Sequence, residues 1–451
     1  MLKVGVGRAT ITPPLGVGLA GYGIYLRRKA EWVHDDLTAR VLVLDDGLKR
    51  AALVACDLVG LDGWLSDSIM EEVRRATKAK EVLLSCIHTH TGPATTFLRG
   101  CGQADEDYLK ELPRLVGSAA RAAVESSTEV EVGAASGEHP HLAWNRTRTE
   151  GGHTDPEVPV WAFRAKDGSM VAVVLSYACH PVMLGPKPVI SADYVWAARL
   201  QVEEELGGTC LFFTGACGDI DPVSNSEVWG RADFGRVEGD GRALGKVAAD
   251  VVRRMKFGDV GIKFGSRRVL LPLRVPEPGE EEKFFREMKE LALPKSEGGD
   301  GTSRRGWLAR MAMFREWESK RWLELMEARF PGGIIWTDEG WLPSWREEGR
   351  HPGALEVTFR ALILGDSALI AVPGEVFSRI GRAVKEGSPF RPTHFVGYAE
   401  RYVGYIPTRE DFEAKSYASS FVPFLSDLFP YREDVGEVVV REATELLKEL
   451  A

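Results

Sequence analysis

Short apolar runs of β-strand length alternate with amphipathic helical segments from one end of the chain to the other. Two such runs, 40–44 and 51–55, flank the turn sequence Asp45-Asp46-Gly47, and this arrangement predicts a hairpin. A second pair of runs, 161–165 and 170–177, is separated by a similar turn. Hairpins combined with strand–helix alternation predict an α/β fold, in which flanking helices cover a mixed β-sheet core.

The remaining elements are predicted from the spacing of apolar side chains, which recurs about every 3.6 residues in helices and forms short continuous runs in buried strands. Helices are predicted over 65–77, 107–126, 194–206, 241–255 and 376–385. Strands are predicted over 210–214, 355–364 and 368–372. No internal repeat interrupts this pattern, and a chain of 451 residues could hold two or three average domains or one large enzyme domain.

The section 277–353 differs in composition from the rest of the chain. A charged helix is predicted over 280–291, a polar loop over 295–305 and a second long helix over about 307–329. Six of the twelve tryptophans of the chain lie here: Trp307, Trp317, Trp322, Trp336, Trp341 and Trp345. The section is expected to be a helical insertion that packs its tryptophans onto the core, caps the mouth of a site, or forms a contact in a homo-oligomer.

Composition narrows the classes of protein and partner. A net charge of −9 without a basic stripe argues against a nucleic-acid partner. The chain has no run of eighteen apolar residues and no basic-then-apolar leader, so we expect a cytoplasmic protein without stable membrane insertion. The six cysteines form no Cys-x-x-Cys pair, which argues against a zinc knuckle or a redox dithiol. Scarce amide side chains together with abundant Glu, Lys and Arg predict a thermophilic source.

Two histidines, His88 and His90, stand two residues apart between the apolar run 82–84 and a Gly-Pro break. In an extended segment, side chains two residues apart project to the same face, so both rings can reach one site. Convergent histidines at a strand end suit a metal ion and a proton carrier. A single histidine at such a position is more often a turn or core residue, so further ligands are required.

Other polar groups also follow predicted strands. His180 comes directly after a strand-like run, and Asp221 lies in a glycine-bounded turn after another. Glu375 follows a third run and opens the helix predicted over 376–385. The carboxyl ends of strands are where open α/β sheets build their sites, and two histidines with a glutamate are a ligand set of hydrolytic zinc. Alone, Glu375 is typical of a helix-N-terminal carboxylate stabilised by the helix dipole.

A series of short motifs connects these residues. The motifs are Ala9-Thr10-Ile11-Thr12-Pro13-Pro14, Gly21-Tyr22, His88-Thr89-His90-Thr91-Gly92-Pro93, Asn145-Arg146, Cys179-His180-Pro181, Gly218-Asp219-Ile220-Asp221-Pro222, Pro373-Gly374-Glu375, Tyr402-Val403-Gly404-Tyr405-Ile406-Pro407-Thr408-Arg409-Glu410 and Tyr417-Ala418-Ser419-Ser420. In this order they resemble the neutral, non-lysosomal ceramidases and their short prokaryotic relatives, from about Val4 to Ser420. Each motif alone is weak, whereas the ordered set is specific. The resemblance implies a single ceramidase-like catalytic domain over 1–451.

The resemblance implies a zinc ion, Zn²⁺, held by His88, His180, Glu375 and Tyr405. His90 is then the proton carrier, which takes a proton from the attacking water and returns it to the leaving amine. Zinc would lower the pKa of that water toward neutrality and polarise the acyl oxygen. Without the resemblance, Tyr405 would be interpreted as ordinary aromatic packing.

The same resemblance assigns two further residues and the reaction. Tyr417 would hydrogen-bond the substrate carbonyl or its oxyanion, and Arg146 would support the site. The alternatives are aromatic packing for Tyr417 and a salt-bridged surface position for Arg146. The implied reaction is hydrolysis of a linear amide (N-acyl) bond. A carboxylic ester or lactone is the nearest alternative substrate, and a metal-containing binding module without turnover is the second alternative.

The chain departs from the family pattern at Asp221, where the ceramidase motif has a serine. A carboxylate there could accept a hydrogen bond from the substrate, orient His90 or approach the metal. An added negative charge would favour short, water-soluble amides with a cationic amine part over ceramide. The alternative is that Asp221 caps the following turn. Because no membrane-docking hairpin or later immunoglobulin-like domain is expected, we carry over the reaction class and the metal rather than the lipid.

Overall fold

A computed structural model describes most of the chain. The described residues are 1–22, 28–98, 101–147, 152–226, 230, 232–277, 279–292, 353–420, 422–426 and 428–451. The loop predicted over 295–305, the helix predicted over 307–329 and the six tryptophans of that section lie outside these ranges. The interpretation of 277–353 as an insertion or cap therefore stays a prediction. The charged helix predicted over 280–291 is confirmed at the start of that section.

Strands and helices follow one another closely along the described chain. The strands are β1 Lys3–Thr10, β2 Trp32–Val33, β3 Thr38–Asp45, β4 Arg50–Cys56, β5 Glu81–Cys86, β6 Thr128–Glu138, β7 Ala143–Asn145, β8 Glu157–Ala165, β9 Met170–Tyr177, β10 Val189–Ile190, β11 Thr209–Thr214, β12 Ile220–Pro222, β13 Ile262–Pro272, β14 Ala354–Leu364, β15 Ser367–Ala371, β16 Glu375–Val376, β17 Thr393–Val396 and β18 Tyr405–Ile406. The α-helices are α1 Gly63–Thr77, α2 Glu106–Glu125, α3 Tyr194–Leu206, α4 Phe234–Arg253, α5 Glu281–Ala292, α6 Ser378–Gly387, α7 Arg409–Glu413, α8 Tyr417–Ser420, α9 Val422–Leu425 and α10 Val435–Glu449. Among the described residues, no helix has both the length and the apolar character that a membrane span requires.

Two sheets form the centre of the fold. The larger has eight strands in the order β11-β9-β8-β6-β1-β3-β4-β5, and the smaller has four in the order β13-β14-β15-β17. Most neighbouring strands are antiparallel, whereas β4–β5, β9–β11 and β15–β17 are parallel. Both predicted hairpins are confirmed, since β3 pairs with β4 and β8 pairs with β9 in antiparallel register. The predicted α/β fold with a mixed sheet is confirmed with them.

Alternation along the strands separates two apolar layers of the large sheet. In β3, Val41 and Val43 belong to the core beneath helices α1 to α4, whereas Leu42 and Leu44 belong to the core between the two sheets. The small sheet contributes residues such as Leu369 to that same inter-sheet core. Helices α6 and α10 cover the other face of the small sheet. The result is a four-layer arrangement of helices, sheet, sheet and helices.

One predicted helix boundary is wrong by a wide margin. The helix predicted over 241–255 begins at Phe234. The sequence does not reveal its first turns because α4 contains several glycines, which lower helix propensity. Two of them are required by packing against α3. A Cβ on Gly241 or on Gly245 would lie 2.3 Å from a backbone carbonyl oxygen of α3, so only glycine permits this close approach of the two helices.

Candidate active site

One connecting segment, 397–400, bonds to both edge strands of the large sheet. The Gly397 N–H donates to the Thr214 carbonyl at the end of β11 at 2.9 Å. The Glu400 N–H donates to the Leu84 carbonyl of β5 at 2.8 Å. The carboxyl ends of β5 and β11 are thereby brought close to each other. His88 and His90 follow β5, and Asp221 follows β11, at the edge of the sheet where α/β folds generally bind ligands.

The His88–His90 pair converges, but for a different reason from the one predicted. The strand β5 ends at Cys86, and His88 has a left-handed backbone with φ 67°, so the pair does not follow the alternation of an extended strand. The Nε2 atoms of the two rings are 3.0 Å apart. A non-glycine residue at positive φ is strained, and such strain is retained only where surrounding contacts fix the residue.

Backbone carbonyls orient two of the imidazoles. His88 Nδ1 is 2.5 Å from the Val59 carbonyl oxygen, and His180 Nδ1 is 2.9 Å from the Ile220 carbonyl oxygen. A carbonyl can only accept, so each Nδ1 donates and Nε2 carries the lone pair of the neutral ring. Glu375 Oε2 lies opposite both lone pairs, 3.3 Å from His88 Nε2 and 3.0 Å from His180 Nε2.

The prediction that Glu375 opens a helix is wrong. Glu375 lies in β16, which runs parallel to β18 and makes Glu375 the register partner of Tyr405. The helix α6 begins only at Ser378, whose N–H donates to the Asp219 carboxylate at 2.7 Å. Asp219 therefore occupies the acidic position at the helix N-terminus that was predicted for Glu375. The Glu375 carboxylate is left to face the histidines.

Arg146 connects Tyr405 to Asp221. Its Nη2 donates to the Tyr405 hydroxyl oxygen at 2.6 Å and to the Gly218 carbonyl at 2.8 Å, and its Nη1 donates to Asp221 Oδ1 at 3.1 Å. Arg146 is buried rather than on the surface. Asp221 lies in β12, opposite Trp144 of β7, and not in a turn. Its carboxylate is compensated by Arg146, which weakens the electrostatic basis for a preference for cationic amines.

Tyr417 packs against Tyr405. It is the first residue of α8, and its ring meets the Tyr405 ring edge to face, with centroids 6.0 Å apart at 77°. Both tyrosines are buried. Together, these contacts place all of the predicted site residues in one cluster: His88, His90, His180, Glu375, Tyr405, Tyr417, Arg146 and Asp221.

Three contributors to the site were not predicted. Tyr402 donates its hydroxyl to Glu375 Oε1 at 2.6 Å, and the Tyr398 hydroxyl lies 3.4 Å from Glu375 Oε2. Gly21, at φ 96°, packs so closely that a Cβ there would lie 2.3 Å from His90 Cγ. Tyr402 and Gly21 both fall inside motifs that carried the resemblance, so the signal was present. Tyr398 lies outside them, and no sequence pattern marked it.

Burial and mutual contact set the charges of the cluster. Burial and the neighbouring His88 and His180 hold the pKa of His90 well below its usual value, so its ring is neutral. Burial alone would raise the pKa of Glu375, but positive charge opposite it, at His88 and His180, lowers that pKa well below the usual value. Burial also raises the pKa of Tyr417 well above its usual value, so that hydroxyl keeps its proton.

The donor atoms at the centre fit a bound cation. Two imidazole lone pairs face an ionised carboxylate at 3.0 and 3.3 Å, an arrangement that is unfavourable unless a positive charge lies between them. Zinc bonds of about 2.0–2.1 Å in a tetrahedron give ligand–ligand separations of about 3.3 Å, close to those observed. Ring nitrogens of His88, His90 and His180 all lie within 4.8 Å of one another, so His90 can reach the same ion.

Two solved structures share this architecture. The neutral ceramidase from Pseudomonas aeruginosa is 18% identical and matches 100% of this chain and 75% of its own, with a TM-score of 0.69. A structure described as ceramidase complexed with C2 is also 18% identical, with coverage of 99% and 74% and a TM-score of 0.71. A search with models of known protein families finds no match. In the part of the chain that the structure describes, therefore, the fold is that of the neutral ceramidases.

Proposed function

We propose that this chain is a zinc-dependent hydrolase of linear amide bonds. The observation that carries the proposal is the convergence of His88, His180 and Glu375, whose buried donor atoms face one another at cation-binding distances. Tyr405, in register with Glu375, is the fourth proposed ligand. The chemistry that zinc would supply is Lewis acidity toward a water molecule and toward the acyl oxygen of the substrate.

His90 is the proposed general base and general acid. Its Nε2 lies 3.0 Å from His88 Nε2, so the ring reaches the centre without being anchored by a backbone carbonyl as His88 and His180 are. Tyr22 meets the ring edge to face at 5.0 Å, and Gly21 packs against it, so the ring is held by packing. His90 would accept a proton from water and transfer it to the leaving amine nitrogen.

Tyr417 is the proposed hydrogen-bond donor to the acyl oxygen. Its ring is buried beside Tyr405, which places it next to the proposed ligand set. A phenol O–H aimed at an oxygen that gains negative charge stabilises the transition state more than the ground state. His90 and Tyr417 together with a full ligand set favour an enzyme over a binding module, because neither residue is needed to hold the metal.

The proposed substrate class is an N-acyl amide. The fold of the neutral ceramidases supports an amide bond, and the buried centre gives no reason to prefer an ester over an amide. The compensated charge of Asp221 removes the main argument for restricting the amine part to a cation. We therefore include neutral lipid amides beside short water-soluble ones in the proposed class.

The experiment is hydrolysis by the purified protein after chelation and after zinc reloading, at an elevated temperature. The panel contains ceramide, short N-acyl amino acids, peptides, and an ester matched to one of the amides. We expect zinc-dependent release of amine from N-acyl amides, abolished by His90→Ala. Stoichiometric zinc without turnover would favour the binding module. Faster cleavage of the ester than of its matched amide, by more than their intrinsic reactivity difference, would favour an esterase.

A further inference from the structure

Asp221 contacts the arginine of the site rather than the proposed catalytic groups. The salt bridge between Arg146 Nη1 and Asp221 Oδ1 measures 3.1 Å, and the two side chains are 3% and 0% exposed. A buried guanidinium without a counter-charge is strongly unfavourable, because its hydration is lost and nothing replaces it. Asp221 supplies that counter-charge. A serine, as in the ceramidase motif, is neutral and could not.

Arg146 also contacts Tyr405, so a shift of its guanidinium changes the surroundings of the phenol oxygen. The same guanidinium donates to the Tyr405 hydroxyl oxygen at 2.6 Å, and its carbon lies 5.6 Å from the centre of the Tyr405 ring. An arginine guanidinium keeps its charge in proteins, and Asp221 and the Gly218 carbonyl hold it in this position. The charged donor therefore stays in place beside the phenol oxygen.

The backbone of Asp221 is also fixed. Asp221 is the central residue of β12 and pairs with Trp144 of β7, so the carboxylate cannot move far from Arg146. Its second oxygen, Oδ2, is buried and has no hydrogen-bond partner among the described residues. Leaving one buried carboxylate oxygen without a partner costs free energy. The contact of Oδ1 with Arg146 is therefore the main interaction of the Asp221 side chain.

We propose that Asp221 is a positioning residue that acts on Tyr405 through Arg146 and does not contact the substrate. This rests on the proposed function, in which Tyr405 is a zinc ligand. The Arg146 N–H occupies one lone-pair direction of the phenol oxygen and stabilises negative charge on that oxygen when it binds a cation. Contacts of this kind, one step removed from the metal, typically change metal affinity about 10–100-fold.

The test is a double-mutant cycle on zinc affinity with Asp221→Asn and Tyr405→Phe. Dissociation constants are measured by competition with a chromophoric chelator for the parent protein, both single variants and the double variant. Asp221→Asn should weaken zinc binding by about 10–100-fold in the parent background. In the Tyr405→Phe background the same substitution should change affinity by about threefold or less, because the phenol oxygen through which it acts is gone.

Asp155→Asn is the matched control. Asp155 forms a buried pair with Lys385 at 2.7 Å, so the variant also removes a buried negative charge from an ion pair, but no site residue shares the pair and Glu157 still contacts Lys385 at 2.5 Å. It should lower the melting temperature and leave the zinc dissociation constant unchanged. If Asp221→Asn does not fold, the pair Asp221→Leu with Arg146→Met removes both charges together, and it should show the same weakening of zinc binding.

Three results would overturn the proposal. An equal loss of zinc affinity in both backgrounds would mean that Asp221 acts on the ion without Tyr405. Unchanged affinity with a changed ratio of kcat/KM between a cationic and a neutral amide would mean that Asp221 contacts the substrate. A parent protein that binds no zinc would end the proposed function itself, whereas normal zinc binding by the parent and by Asp221→Asn would end only this inference.

Discussion

The two sides of the candidate active site are held in different ways. On the histidine side, His88 and His180 are oriented by main-chain carbonyls, those of Val59 and Ile220. A carbonyl is present whatever side chain stands at the position, so this support does not depend on residue identity. The rings are therefore fixed by the course of the backbone, and single substitutions at Val59 or Ile220 leave the accepting atoms in place.

On the carboxylate side, the supports are side chains. Tyr402 donates to Glu375, and Arg146 donates to Tyr405. Each of these supports disappears with one substitution. Substitutions can therefore hardly change the hydrogen bonds that orient the histidines, whereas they can remove the hydrogen bonds that orient Glu375 and Tyr405. Variation in zinc affinity among related chains should therefore come from the carboxylate side.

The largest effect expected is on turnover when the proton carrier is removed from the histidine side. His90→Ala should lower kcat by about two to four orders of magnitude, the usual contribution of a positioned proton carrier, and should retain zinc. His88→Ala should lose the metal. Zinc content by atomic emission together with kcat distinguishes the two. Equal zinc loss in both variants would mean that His90 is a metal ligand like His88 and not a separate proton carrier.

The second largest effect is expected on zinc affinity when a support on the carboxylate side is removed. Tyr402→Phe removes the hydroxyl that donates to Glu375 at 2.6 Å and should weaken zinc binding by about 10–100-fold. Val59→Ala is the matched change on the histidine side, because it keeps the carbonyl that His88 Nδ1 contacts. It should leave the zinc dissociation constant within about threefold. Similar losses in both variants would contradict the difference between the two sides.

A smaller effect concerns the packing behind His90. Gly21→Ala places a methyl group where a Cβ would lie 2.3 Å from His90 Cγ, so the ring must move. We expect kcat to fall about tenfold with zinc affinity unchanged, because displacement by a fraction of an ångström misaligns proton transfer. Gly16→Ala is the control, since Gly16 has a similar φ of 90° and nothing within 4 Å of its Cβ position. It should cost stability without affecting kcat.

The smallest expected effect concerns the contact between the large and the small sheet, which carry the two sides of the site. His394 of the small sheet lies 3.1 Å from the Ser176 hydroxyl of the large sheet, and burial, with a contribution from Lys385, lowers its pKa to about 3. The unfolded chain takes up this proton near pH 6.5, while the folded protein does so only near pH 3, so folding stability falls as pH drops through that window.

His394→Gln should remove that part of the pH dependence. Between about pH 6.5 and 5.5 the parent protein should lose about 1 kcal/mol of unfolding free energy more than the variant, as measured by urea unfolding of chelator-treated protein. Using the difference between the two proteins cancels the titration of the other histidines. Parallel curves over this range would show that His394 titrates alike in the folded and unfolded states, which would contradict its burial between the two sheets.

The sequence predicted the elements better than their ends. The helix predicted over 194–206 and both hairpins agree with the structure because apolar periodicity and turn residues act locally. The start of α4 was missed because Gly241 and Gly245 serve a contact with α3, which lies outside any local pattern. The helix that was predicted to begin after Glu375 starts later, because Glu375 pairs with the distant strand that contains Tyr405.

The site shows the same division. The residue types of the cluster could be predicted from the ordered motifs, and the structure brings them together. How they are held could not be predicted, because the supports are main-chain carbonyls, the left-handed backbone of His88 and the close approach of Gly21. Arg146 is assigned a supporting role, but its salt bridge with Asp221 depends on the pairing of β12 with β7, which ends one residue before Arg146, and only the folded chain reveals that pairing.

The segment 397–400 has a consequence for how the chain is made. The last strand of the large sheet, β11, is complete at Thr214, yet both edge strands of that sheet gain their bonds to this segment only when residues near Gly397 have been synthesised. Until then the nascent protein carries two open sheet edges, which favour pairing with other chains. Glu375 and Tyr405 also emerge late from the ribosome. Binding of the proposed zinc should therefore follow synthesis of residue 405, and chains that end before Gly397 should aggregate rather than accumulate as soluble apo-protein.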